Sequence, residues 1–340
     1  MITLPSPRTA PLTGDPTLRW GVLAPGRIAR SWAGTVLANT DQPIVAVGSS
    51  SRERAEAFAR DFGIERAYGS YEALVADPSV DAVYVSGLNE VHRPHALLAI
   101  AAGKHVLVEK PLGSTAAEAR EIAAAARAAG VFAMEAMWTR FLPQTEVLLE
   151  LVAEGAFGDL GLVEADFAPR LDPVASSRVY TGGVHGGALL DLGVYPLSFV
   201  RFLLGASEAF TVSGTLLDSG SDGTTVIVQD YASGARSVTS TSAELGFSAR
   251  ATILGSKASA HFPRNFYMPG RFLFTDGDDA AEYVDPNGWT DHTGLCYQVA
   301  AFAADVAEGL AESPKRPLDE SIAVLELIDE ARRRIGAPTV

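Results

Sequence analysis

Residues 18 to 39 read LRWGVLAPGRIARSWAGTVLAN. Leu18 to Ala24 is a short apolar run suited to a buried strand. Pro25-Gly26 makes a turn, and from Arg27 onward apolar residues recur at helical spacing. A strand that passes through a glycine turn into a helix opens a doubly wound α/β domain. It also builds an anion site, because the first N–H groups of the helix point at the turn. The dinucleotide fingerprint puts three glycines there. Here the spacing is Ala24-x-Gly26-x-x-Ala29, with alanine in the first and third places. An ordinary strand-to-helix turn also fits such a degenerate pattern, so the segments that follow decide the reading.

They repeat the unit. PIVAVGSS, DAVYVSG, KHVLVEK and VFAMEAM are apolar strands, separated by the helical stretches RERAEAFARDFG, YGSYEALVADPSV, EVHRPHALLAIAAG and STAAEAREIAAAARAAG. Gly63 ends the first of these helices, Ser70 caps the second, and Ser114 or Thr115 caps the last. Strands that are apolar throughout and alternate with helices predict a parallel sheet covered on both faces. After residue 138 the pattern changes. The helix PQTEVLLELVAEGAFG and the strand LVEADFA precede a helical GALLDLGVYPLSFVRFLLG. Successive strand-like segments follow (AFTVSGTLL, TTVIVQDYA, ARSVTSTSAE, FSARATILGS, KASAHF, RFLFTD), with turn residues between them. Two amphipathic helices close the chain. The fold class is therefore α/β: an N-terminal Rossmann domain over 18–138, and an α+β domain over 139–340 with a large, mostly antiparallel open sheet. Residues 1–17 hold four prolines and no apolar run, and read as a disordered leader rather than a signal peptide.

The chain has 340 residues, with 27 basic against 41 acidic side chains, a net charge of −14. That balance argues against nucleic acid as a partner. Cys296 is the single cysteine, so no internal disulfide forms. No apolar stretch reaches the length a membrane helix needs. A cytoplasmic location is expected.

Four places carry chemistry. The turn at Ala24, Gly26, Arg27 and Ile28 suits a pyrophosphate. The second strand ends in VGSSSRER with no acidic residue to take a ribose 2′-hydroxyl. Ser49, Ser50 and Arg52 suit a 2′-phosphate instead, so NADP is expected, with NAD possible; Arg52 as a solvated helix-start residue is the plainer reading. The third is Glu109-Lys110-Pro111, at the carboxyl end of a parallel strand where ligands bind. On its own, such a pair is more often a loop beginning than a catalytic element. The fourth is Asp191 and Tyr195, four apart on one helical face, which could equally be a buried structural pair. His92-x-x-His95 has metal-like spacing but no cysteine or carboxylate partner, so no metal is expected.

Taken together, these motifs resemble the Gfo/Idh/MocA oxidoreductases over roughly residues 18 to 337. AYGSYEALVADPSVDAVYV, AAGKHVLVEKPLG, FAMEAMWTRFLP and GGALLDLGVYP are similar to the branch of dimeric dihydrodiol dehydrogenases and NADP-dependent D-xylose 1-dehydrogenases, in which tyrosine stands at the 195 position. Ala24 and Ser50 depart from the family pattern, where glycine and, in NADP-linked members, arginine are common. The resemblance implies hydride transfer between nicotinamide and a carbinol or carbonyl carbon of a sugar or cyclic polyol. It assigns Tyr195 as general acid/base, Lys110 as the ammonium that favours tyrosinate, and Asp191 as an orienting group. It places Gly87, Leu88, Asn89, His92, Glu109, Lys110, Trp138 and Arg140 near the cofactor, and Lys110, Trp138, Arg178, Asp191 and Tyr195 near the substrate. For Trp138, packing at the domain junction is an equal alternative. The resemblance further implies a cis Lys110–Pro111 bond and a homodimer or homotetramer formed through the second sheet. Reduction of a keto-sugar, oxidation of a non-sugar diol, and a non-catalytic NADP-binding regulator are the alternatives.

Overall fold

A computed structural model describes residues 2–247 and 249–339. The chain divides into two compact units. One is Ala10–Trp138 joined by His292–Leu325. The other is Thr139–Asp291, joined by the start of the chain and by the segment from Glu326 onward.

In the first unit, strands and helices alternate: β1 Trp20–Leu23, α1 Arg27–Asn39, β2 Ile44–Gly48, α2 Arg52–Phe62, β3 Arg66–Tyr68, α3 Tyr71–Val75, β4 Ala82–Val85, α4 Asn89–Ala101, β5 His105–Glu109, α5 Ala116–Ala129 and β6 Ala133–Ala136. All six strands are parallel, in the order β3-β2-β1-β4-β5-β6. The order reverses between β1 and β4, and in open α/β sheets that reversal leaves a crevice at the strand carboxyl ends. The helix ends are as the sequence implies. Gly63 is left-handed at φ 67°, and Ser70 and Thr115 accept first-turn N–H groups. The three-residue β3 is absent from the sequence reading, being too short to show a period.

In the second unit, the elements are α6 Pro143–Ala153, β7 Leu160–Pro169, a one-turn α7 Ser177–Tyr180, and a π-wound turn Leu189–Gly193 that runs into α8 Val194–Leu204. Then come β8 Ala209–Leu216, β9 Asp222–Asp230, β10 Arg236–Ser242, β11 Gly246–Phe247, β12 Ala251–Gly255, β13 Ala258–Phe262, β14 Arg271–Asp276 and β15 Asp279–Val284. The sheet runs β15-β14-β13-β12-β7-β10-β9-β8, with β11 beside β7. Every pair in it is antiparallel except β7 with β10. The two closing helices are α9 Leu295–Ala307 and α10 Leu318–Ile335. Among the described residues no helix is long and apolar enough to cross a membrane.

In the first unit α9 packs on α1: the Trp20 ring meets Phe302 at 4.9 Å and Trp32 at 5.5 Å, and Trp32 stacks on Tyr84 at 4.4 Å. A buried polar knot holds the segment before α10 to β6. Glu135, 1 % exposed, accepts from Arg316 Nε (2.9 Å) and Nη2 (2.6 Å), from Ser321 Oγ (2.7 Å) and from the Leu112 N–H (3.0 Å). Removing Glu135 takes from the fully buried Arg316 its 2.6 Å counterion and leaves Glu320 at 3.9 Å from Nη1. Glu135→Ala should therefore lower stability by about 3–5 kcal/mol, read from the urea midpoint.

Candidate active site

The first unit offers a dinucleotide cradle at the β1–α1 turn. Ala24 is left-handed at φ 58°, the conformation for which the fingerprint prefers glycine. Gly26 precedes α1, and no side chain caps the helix there. A Cβ added at Gly26 would meet nothing closer than the Ala24 carbonyl at 3.9 Å, so the turn leading to Arg27 and Ile28 is open on that side. At Gly87, beyond β4, an added Cβ would lie 2.3 Å from Val91 Cγ2, so Val91 would have to move to admit a side chain. Leu88 is exposed and Asn89 half-buried beside it. This donor set, open and uncapped at the switch point, fits a pyrophosphate. Ala24→Gly should relieve the left-handed strain and raise stability by about 1 kcal/mol, checked by denaturant unfolding.

The tip of β2 differs in detail from the sequence expectation. Ser49 is buried and its Oγ accepts from the Ser51 N–H, while Ser50 is exposed. Arg52 Nε donates to Glu56 (2.9 Å), one helical turn on, whereas Arg54 Nη2 donates to Ser50 Oγ (2.9 Å). The cation beside Ser50 is Arg54, which the sequence reading passed over.

Lys110, half-buried, follows β5 on a turn tied down at each peptide. Its own N–H donates to Glu109 Oε2 (3.1 Å), and Tyr84 Oη donates to Glu109 Oε1 (2.5 Å). The Pro111 carbonyl lies 2.8 Å from His92 Nδ1, and the Leu112 N–H donates to Glu135. The Lys110–Pro111 bond is cis. Burial pushes the Glu109 carboxyl up from its usual range, against the pull of the Tyr84 hydrogen bond and Lys110. His92 is 1 % exposed, with Nε2 3.1 Å from the Gly87 carbonyl. Burial pushes its pKa down to about 4, so the ring is neutral near pH 7 and donates to one of the two carbonyls at a time. Glu109 and His92 thus hold the backbone of the turn that carries Lys110. His95 packs instead against Tyr71, ring centroids 4.3 Å apart. Trp138 stacks on His292 at 5.6 Å and is buried.

In the second unit, Arg178 Nη2 donates to Asp191 Oδ2 at 2.7 Å. Arg178 is partly exposed and Asp191 buried, so the buried carboxylate aims a guanidinium that still reaches solvent. Tyr195 follows Asp191 across the π-wound turn. Its ring lies 5.6 Å from Phe167 and 5.1 Å from Tyr267, which stack on each other at 4.4 Å. The segment carrying Tyr267 is fixed by Thr139 Oγ1 on the Tyr267 carbonyl (2.9 Å) and by Gln144 Nε2 on the Phe266 and Met268 carbonyls. Arg140 pairs with Glu146 at 3.0 Å and lies over the Phe202 ring. Phe167 and Tyr267 were missed from sequence. Phe167 is visible only as one strand residue of LVEADFA, and Tyr267 falls in a loop with no pattern.

Comparison with known proteins agrees with this arrangement. Residues 18–137 match the family model described as an oxidoreductase family with an NAD-binding Rossmann fold, and residues 146–261 match the GFO/IDH/MocA C-terminal domain. The chain is 36% identical over 329 residues to trans-1,2-dihydrobenzene-1,2-diol dehydrogenase of Mus musculus, covering 94% of this chain and 97% of that protein. KijD10, a 3-ketoreductase from Actinomadura kijaniata solved with NADP and TDP-benzene, superposes with a TM-score of 0.79 at 28% identity, over 95% of this chain and 98% of its own. An aldose-aldose oxidoreductase from Caulobacter crescentus shares the fold, with a TM-score of 0.84 at 22% identity over 94% of this chain and 98% of its own. With both family models matched and a relative above one-third identity spanning almost the whole chain, this protein belongs to the Gfo/Idh/MocA family of NAD(P)-binding oxidoreductases.

Proposed function

We propose that the protein is an NADP-linked dehydrogenase or reductase of a CH–OH group on a six-membered ring, a cyclic diol or a sugar. Tyr195 serves as its general acid/base. Residues 18–138, joined by 292–325, form the cofactor domain in this reading, and the unit built on Thr139–Asp291 binds substrate. When bound, the nicotinamide supplies the hydride acceptor or donor. An alcohol releases hydride readily only as its O–H proton leaves, so a base must stand at that oxygen. Tyr195 takes the proton. Lys110 contributes an ammonium that favours tyrosinate and hydrogen-bonds the same oxygen. Arg178, aimed by Asp191, holds a neighbouring hydroxyl.

The observation that carries this reading is the Arg178–Asp191 pair one turn before Tyr195, whose ring packs beside the stacked Phe167 and Tyr267 rings. Polar groups able to hold vicinal hydroxyls thus stand beside an aromatic wall that suits the face of a ring. The mouse relative bears the name of a cyclic diol dehydrogenase, which favours a diol that is not a sugar. The 3-ketoreductase neighbour keeps keto-sugar reduction as the second reading. The test is a panel of cyclic diols, aldoses and inositols, each with NADP and NAD. A protein that oxidises none of them and reduces none of the matching ketones would sink the reading.

Support for NADP comes from Arg54 on Ser50, with no acid at the tip of β2. Arg54→Ala should raise the KM for NADP about tenfold and leave that for NAD within about twofold; equal changes in both would remove Arg54 from phosphate recognition. Self-association through the second sheet is also expected. Exposed Val226, Leu254, Leu273 and Val284 lie on one face of it by register. Sedimentation equilibrium checks this, and a monomer at micromolar concentration would contradict it.

A further inference from the structure

We propose that the buried Asp222–Arg332 pair is a positioning device for the site, setting where Arg178, Asp191 and Tyr195 stand. It rests on the roles given above to Asp191 and Tyr195.

Asp222 opens β9 with no exposure, and Arg332 in α10 is 1 % exposed. Arg332 Nε lies 3.2 Å from Asp222 Oδ1. The other carboxylate oxygen accepts the Leu189 N–H at 2.6 Å, which anchors the π-wound turn two residues before Asp191. The guanidinium also grips the loop between Arg178 and Asp191: Nη1 donates to the Val184 carbonyl (2.8 Å) and Nη2 to the Gly183 carbonyl (3.0 Å). Ser221, next to Asp222, donates to the Thr181 carbonyl (3.0 Å), and the Gly187 N–H donates back to the Val179 carbonyl (2.9 Å). The loop closes on the pair without spare room. Gly187 has φ +97°, and a Cβ there would sit 2.2 Å from Asp222 Oδ1.

A buried ion pair is a poor source of stability compared with apolar packing of the same volume. What it supplies here is registry. One carboxylate holds the start of the helix that carries Asp191 and Tyr195, and its counterion holds the loop that begins after Arg178. The 2.7 Å Arg178–Asp191 contact is therefore set from both of its ends. A displacement of about 1 Å at such groups costs on the order of 100-fold in rate.

The test measures Asp222→Asn and Arg332→Lys, each alone and each with Tyr195→Phe. Substrates are trans-1,2-dihydrobenzene-1,2-diol and D-xylose with NADP, and NADPH fluorescence reports cofactor binding. Each single variant should lose about 30-fold in kcat and keep cofactor affinity within about twofold. In the Tyr195→Phe background the same change should cost less than about threefold, because a positioned base is no longer there to lose. Equal losses in both backgrounds, or a folded Arg332→Lys with wild-type kcat, would overturn the proposal. So would the failure of both single variants to fold, which would assign the pair to stability. Tyr195→Phe with wild-type kcat would instead sink the functional reading on which it rests.

Discussion

Lys110→Ala should stop turnover, with kcat falling about 10³-fold or more, while NADP still binds. The turn that carries Lys110 is held by groups other than its side chain: Glu109 on the Lys110 N–H, His92 on the Pro111 carbonyl and Glu135 on the Leu112 N–H. Truncation at the β-carbon leaves these three ties intact. In the proposed mechanism two contributions vanish together, a hydrogen bond to the reacting oxygen and the positive field that favours tyrosinate. A thousandfold loss corresponds to about 4 kcal/mol of transition-state stabilisation, within what charged groups supply in a water-excluded site. Fluorescence titration with NADPH and thermal melting separate this outcome from misfolding. An active Lys110→Ala would return the Glu-Lys-Pro stretch to the loop reading that it permits when taken alone.

Tyr195→Phe should lower kcat by about 10²–10⁴-fold in either direction of the reaction. The ring remains against Phe167 and Tyr267, so packing is retained and only the phenolic oxygen is lost. The pH dependence fixes the role. Oxidation needs the base deprotonated, so wild-type kcat falls as pH is lowered through the apparent pKa. Reduction needs the acid protonated, and is lost as pH rises through it. Both limbs should flatten in Tyr195→Phe. In the residual activity of Lys110→Ala the midpoint should move upward, toward the value of about 10 for free tyrosine. A Tyr195→Phe enzyme with wild-type limbs would assign the proton to another group.

The parallel sheet was legible because its signal is local. Trp20–Leu23, Ala82–Val85 and His105–Glu109 are short apolar runs, and each leads through turn residues to a helix of plain period. The second sheet was legible as mostly antiparallel, but the parallel pairing of β7 with β10 was not. That pairing joins segments far apart in the chain, and neither strand states its partner. The last strand, Asp279–Val284, escaped because DAAEYV is mostly exposed and weakly apolar. Of the proposed site residues, Lys110, Asp191 and Tyr195 stood out by motif. Arg54 could have been found. The spacing of Arg52 to Glu56 marks a helical ion pair, and the same spacing joins Ser50 to Arg54. Tyr267, and the Asp222–Arg332 and Glu135–Arg316 pairs, depend on tertiary contacts that no local pattern encodes.

The central claim is that this chain moves hydride at a ring CH–OH group with Lys110 and Tyr195 at the reacting oxygen. It is tested most directly by following NADPH absorbance as the purified protein meets trans-1,2-dihydrobenzene-1,2-diol, D-xylose and myo-inositol, wild type beside Lys110→Ala. The account predicts that the wild type reduces NADP with at least one of the three, and that Lys110→Ala binds NADP yet reduces it about 10³-fold more slowly or not at all. Wild-type protein inert toward all three, or Lys110→Ala as fast as wild type, would contradict it.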